Sequence, residues 1–75
     1  MWVNISDEPI QTYGMHGKEF ELWLSYNNYY GHTIFCESEC VAAVWNSIDE
    51  CFYESKTLRK IDGRDIVQWW KEDAE

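Results

Sequence analysis

Residues 18–26 alternate without a break. Phe20, Leu22, Leu24 and Tyr26 point one way, and Glu19, Glu21, Trp23 and Ser25 point the other. A period of two suits a pleated strand and no helix. It also assigns the faces, one apolar and one acidic with a single Trp. Asn27-Asn28 follows and reads as a turn, because Asn tolerates positive φ. Residues 29–36 are then rich in Tyr, Thr, Ile and Phe, types that fit a pleated surface. Together these runs predict a hairpin over about residues 18–36. Residues 2–5 and 10–13 are shorter strand candidates. Pro9 cannot donate to a ladder and belongs at a bend or an edge, and Gly14-Met15-His16-Gly17 reads as a flexible turn.

The next segment predicts a helix over about residues 39–54. Ser38 would cap it and Glu39 would complement the positive end of its dipole. Cys40, Val41, Val44, Ile48, Cys51 and Phe52 fall on one helical stripe, with Asn46, Asp49, Glu50 and Tyr53 opposite and Trp45 at the boundary. Residues 57–61 suit a short strand. Asp62-Gly63 suits either a tight turn or the start of a last helix, in which Asp62 caps and Ile66, Val67 and Trp70 face inward. The expected fold class is α+β: a small antiparallel sheet of three to four strands packed by one main helix, with a short C-terminal strand and helix. Its 75 residues form one domain, 1–75, with a thin core.

Charge narrows the function. The net charge is −8, and all of it lies in the first 55 residues, where nine acids face one base, Lys18; residues 56–75 hold five of each. Binding to nucleic acid or to an anionic membrane needs basic residues that displace counterions. Neither partner is expected. A protein with a basic surface or a nucleic-acid groove would be attracted at long range. No apolar run approaches the roughly 20 residues of a membrane-spanning helix. Nor does the N-terminus show the basic-then-apolar pattern of an export signal. The expected location is the cytoplasm, or the host cytoplasm for a phage-encoded protein.

The chemistry-bearing residues are sparse. Cys36, Cys40 and Cys51 are odd in number, which argues against a disulfide framework. His32-x3-Cys36-x3-Cys40 departs from the close Cys pairs of zinc sites, so no metal or other cofactor is expected. On a helix, Cys40 and Cys51 would be core thiols three turns apart. His32 and Cys36 lack a third group to orient them, and Glu19 and Glu21 read as a solvated stripe rather than an acid–base pair. The four Gly are scattered and form no phosphate loop. No enzymatic activity is expected.

Aromatic residues make up 17% of the chain, more than a thin core absorbs. Trp45 and Trp70 are assigned to the core. Trp23 points out beside Glu19 and Glu21, and Trp and Tyr are the common anchors of protein interfaces. The expected partner-binding residues are Glu19, Glu21 and Trp23 on the strand, and Asp49, Glu50, Tyr53 and Glu54 on the helix. In size, charge and aromatic content the chain is similar to small inhibitors encoded by phages or mobile elements. Some of these mimic the charge of DNA to block restriction enzymes, polymerases or CRISPR effectors. That likeness implies a non-enzymatic acidic inhibitor, DNA-mimic or anti-CRISPR-like, acting as a monomer or homodimer on a basic host protein. The alternatives are an immunity protein or antitoxin that neutralises a basic nuclease, and a structural or regulatory homo-oligomer that buries its aromatics against itself.

Overall fold

A computed structural model describes residues 1–72 of the chain. It is all-β. Six strands, β1 (Trp2–Asn4), β2 (Glu19–Tyr30), β3 (Thr33–Asn46), β4 (Cys51–Glu54), β5 (Lys60–Ile61) and β6 (Ile66–Trp70), form one antiparallel sheet in the order β1-β6-β2-β3-β4-β5. The α+β expectation is therefore corrected: where the main helix was expected, the chain forms the second half of β3, a turn and β4.

The reason lies in which period the burial obeys. Opposite Phe20 and Leu22 in the register stand Ala43 and Val41. Val41, Ala43 and Trp45 thus share the core face, at a spacing of two. Ala43 is fully buried although the helical stripe left it out, and Ile48, which that stripe included, is 84% exposed in the turn. Asn46 Oδ1 accepts from the backbone N–H of Ile48 and Asp49 at 2.9 and 3.0 Å, and Glu50 closes the turn at φ +54. A short polar side chain that bonds its own following backbone ends a strand readily.

Three local expectations change for related reasons. The hairpin turn is at Gly31-His32, and Asn27 and Asn28 lie within β2. Gly31, at φ +63, supplies the positive φ that a two-residue turn needs at its first central position. Asp62 does act as a cap, accepting from the Arg64 N–H at 3.0 Å, but for a single 3-10 turn, Gly63–Asp65, and not for a last helix. Residues 10–13 form no strand. Residues 66–70 form β6, which pairs with β1 on one side and β2 on the other.

The core is Phe20, Leu22, Leu24, Ala43, Phe52, Ile61, Ile66 and Trp69. Among the described residues no α-helix covers it, and two features close it instead. From Ile61 to Ile66 the chain spans at most about 17 Å, yet β5 and β6 lie four strand spacings apart, about 19 Å on a flat sheet. The sheet is thus rolled, and Ile61 and Ile66 meet in one core. Residues 5–18 form the second closure, a strap carrying Ile5, Ile10 and Met15 against the core. The indole N–H of Trp69 donates to the Glu8 carbonyl at 2.8 Å, and the Gly17 N–H donates to the Trp45 carbonyl at 2.9 Å. Phe20 meets Phe52 edge to face with ring centres 5.6 Å apart. Edge-to-face geometry of this kind adds to what the rings gain from the area they bury.

Candidate binding face

The strict alternation of β2 holds. Phe20, Leu22 and Leu24 are buried, while Glu19, Glu21 and Trp23 are exposed on the opposite, outer face. The register carries this face across the sheet. Glu19 lies opposite Val44, which lies opposite Tyr53; Trp23 lies between Cys40 and Gln68. Four of the predicted binding residues, Glu19, Glu21, Trp23 and Tyr53, are therefore brought to one face of one sheet.

Asp49 joins them at the edge. The Tyr53 hydroxyl donates to its Oδ2 at 2.7 Å, and that bond pushes the phenol well above its ordinary value. Glu50 sits in the same exposed turn, between β3 and β4. Glu54 is not brought to this face. It pairs with Ala43 on the core side, and Arg59 Nη2 bridges it to Glu39 at 3.0 and 2.9 Å. Of the seven predicted residues only Glu54 is in an ion pair among the described residues; Glu19 instead accepts from the Ser55 hydroxyl at 2.9 Å.

Sequence reasoning missed two members of the face. Trp2 of β1 and Trp70 of β6 are register partners there. The Trp2 ring meets Trp70 edge to face at 5.6 Å and Trp23 at 6.0 Å. Trp2, Trp23 and Trp70 remain 37%, 37% and 40% exposed, so the trio is a surface cluster; Trp70 is not the core residue expected. Reading residues 68–70 with a period of two would have placed Trp70 and Gln68 together, opposite in sense to Trp69; a shift in the register between Trp23 and Leu24 turns Ile66 to the core, so the alternation does not run through all of β6. Trp45, also expected in the core, is half-buried and packs on Phe52 at 4.9 Å. Beside the trio, where β2 begins and β6 ends, lies a cleft of about 570 Å³ lined by Glu19, Glu21, Trp70, Met15 and Lys18.

The cysteines are not core thiols. Cys36 and Cys40 are exposed on β3, and Cys51 is half-buried on β4. Four residues along a strand span about 13 Å, so His32, Cys36 and Cys40 cannot converge on one ion. Partial desolvation, and then the charge of Glu21, push the Cys40 thiol up, which makes it a poorer nucleophile at neutral pH. His16 and Ser47 form a contact that sequence spacing did not suggest, with Oγ 2.9 Å from Nδ1. The same Nδ1 accepts the Ser47 backbone N–H at 3.0 Å. The imidazole thus secures the turn after β3, and its lone pair is already engaged by the main chain.

The 3-10 turn supplies a pH marker. Hydrogen bonds from the Arg64 side chain and then its backbone N–H hold the Asp62 carboxyl down to about 2, from an ordinary value of 3.8. A depressed carboxylate contributes stability above its unfolded value and loses it as the proton binds. The cap is therefore expected to be complete above about pH 4 and to weaken only as pH falls toward 2. Carbon-detected NMR titration of Asp62 checks this; a midpoint near the ordinary value would show that Arg64 does not hold the carboxylate.

Comparison with protein families, with curated proteins and with solved structures finds no match. Among the described residues no helix is long and apolar enough to cross a membrane. The class is thus set by architecture alone: a small rolled antiparallel sheet, strapped on its core side and carrying a tryptophan cluster and carboxylates on its open side.

Proposed function

We propose that this domain is a non-enzymatic acidic inhibitor of the kind carried by phages and mobile elements. It binds a host protein through a basic, nucleic-acid-handling groove. The observation that carries this reading is the Trp2–Trp23–Trp70 cluster, half exposed on a sheet face that also presents Glu19 and Glu21. Three indoles held edge to face on strands are rigid before binding, so little rotamer freedom is lost when they are covered. Carboxylates beside them would pair with Arg and Lys through charge-assisted hydrogen bonds. The net charge of −8 would steer a basic partner toward the domain and repel free DNA or RNA.

The test is a capture experiment followed by a titration. The immobilised domain retrieves its partner from a host lysate, and the purified partner is titrated against wild type and the Glu19→Lys/Glu21→Lys double variant. The variant is expected to keep its fold and to lose about ten- to a hundredfold in affinity, mostly in association rate. Wild-type affinity is expected to fall steeply between about 0.05 M and about 0.5 M salt. Equal binding by the variant, or direct binding of a DNA duplex by the wild type, would overturn the proposal.

A further inference from the structure

The β2–β3 hairpin outruns the sheet that holds it. The ladder from β6 stops at Leu24, and the ladder from β4 starts at Ala43. Residues 25–30 and 33–38 pair only with each other among the described residues. They form a two-stranded arm that accounts for much of the molecule's 47 Å long dimension. Its tip is apolar and exposed: Tyr29 and Ile34 are partners on one face, and Tyr30 and Phe35 meet at 5.5 Å on the other.

Such an arm is incomplete by itself. A lone two-stranded ribbon is marginal in water, and three or more strands are needed for independent stability. Its two edges carry backbone donors and acceptors that nothing among the described residues pairs. Proteins usually guard such edges with Lys, Pro or a bulge. Beyond Glu37, which sits near its base, this arm has none of these devices, because its ladder is regular and no Asp, Glu, Lys or Arg occurs between Glu21 and Glu37. The last point selects the occupant. All of the net charge of −8 lies on residues 1–55, and within them the outer part of the arm, residues 25–36, is an exposed apolar stretch that two copies can bring together without opposing carboxylates.

We infer that the arm pairs with the arm of a second copy of this chain, edge to edge, completing a four-stranded ribbon with its exposed rings buried between the copies. This surface lies beyond the tryptophan face, and its salt response has the opposite sign. Screening relieves repulsion between two acidic bodies, so the dimer strengthens with salt, whereas a basic partner is released by it.

Sedimentation equilibrium on the full chain tests the inference. The mean mass is expected to rise from 9.0 kDa toward twice that value with concentration, and more readily at about 0.5 M than at about 0.05 M salt. The Ile34→Lys/Phe35→Lys variant, with far-UV circular dichroism as a check of the fold, is expected to raise the dissociation constant about tenfold or more. If the double variant fails to fold, Ile34→Lys alone and the wild-type salt series still decide. A wild type that stays monomeric up to about 1 mM at both salts overturns the inference. So does a dimer that dissociates as salt rises, or one lost in Trp23→Ala but kept in the arm variant.

Discussion

Leu22→Ala is expected to cost about 3–5 kcal/mol, among the largest losses of stability from a single truncation in this domain. Leu22 is 0% exposed and flanked in the register by Val41 on β3 and Trp69 on β6, so its strand is held by a ladder on each side at this point. Truncation removes the transfer free energy of the side chain and leaves a void. The neighbours cannot fill it, because their backbones are fixed by those ladders. The total stability of a 75-residue domain is roughly 4–11 kcal/mol by the usual yield per residue. The variant should therefore be partly unfolded at 25 °C or melt at least about 12 °C lower. Urea and thermal unfolding followed by tryptophan fluorescence measure this. A cost below about 1 kcal/mol would mean that the roll of the sheet does not close on Leu22.

How much of this architecture could be read in advance depends on how local the deciding contact is. Residues 18–26 were legible because their alternation states both the element and its faces, and Glu19, Glu21 and Trp23 stand where that alternation puts them. Residues 39–54 were not. Cys40, Val41, Val44 and Phe52 satisfy a helical stripe, and only pairing with β2 shows that Ala43 is a core position. That pairing joins residues more than twenty apart and leaves no trace in a local window. The same limit hid Trp2 and Trp70. They lie at opposite ends of the chain and become neighbours only because β6 inserts between β1 and β2. Asp62 shows the intermediate case: the cap was legible, and what it caps was decided by the short reach from Ile61 to Ile66. The face was thus half visible: its acidic strand could be read, and its aromatic centre was assembled by topology.

Trp23→Ala separates the role of that centre from its contribution to the fold. Trp23 touches Trp2 edge to face and is 37% exposed, on the side of the sheet away from Leu22. Losing one such ring contact is expected to cost the folded state about 0.5–1.5 kcal/mol. If the trio is the anchor of an interface, the same change should cost the complex about thirtyfold or more in affinity. The loss should appear mainly in the dissociation rate, because an indole contributes little to long-range attraction. The dependence of affinity on salt should then match wild type, unlike that of Glu19→Lys/Glu21→Lys, where the charge itself is reversed. Calorimetric titration at two salt concentrations, with melting curves for each variant, distinguishes these effects. A melting shift as large as that of Leu22→Ala with unchanged affinity would mean that the indoles plug the edge of the sheet. A thirtyfold loss with a melt lowered by only a few degrees would place an energetic centre of binding on Trp23, where it stands against Trp2.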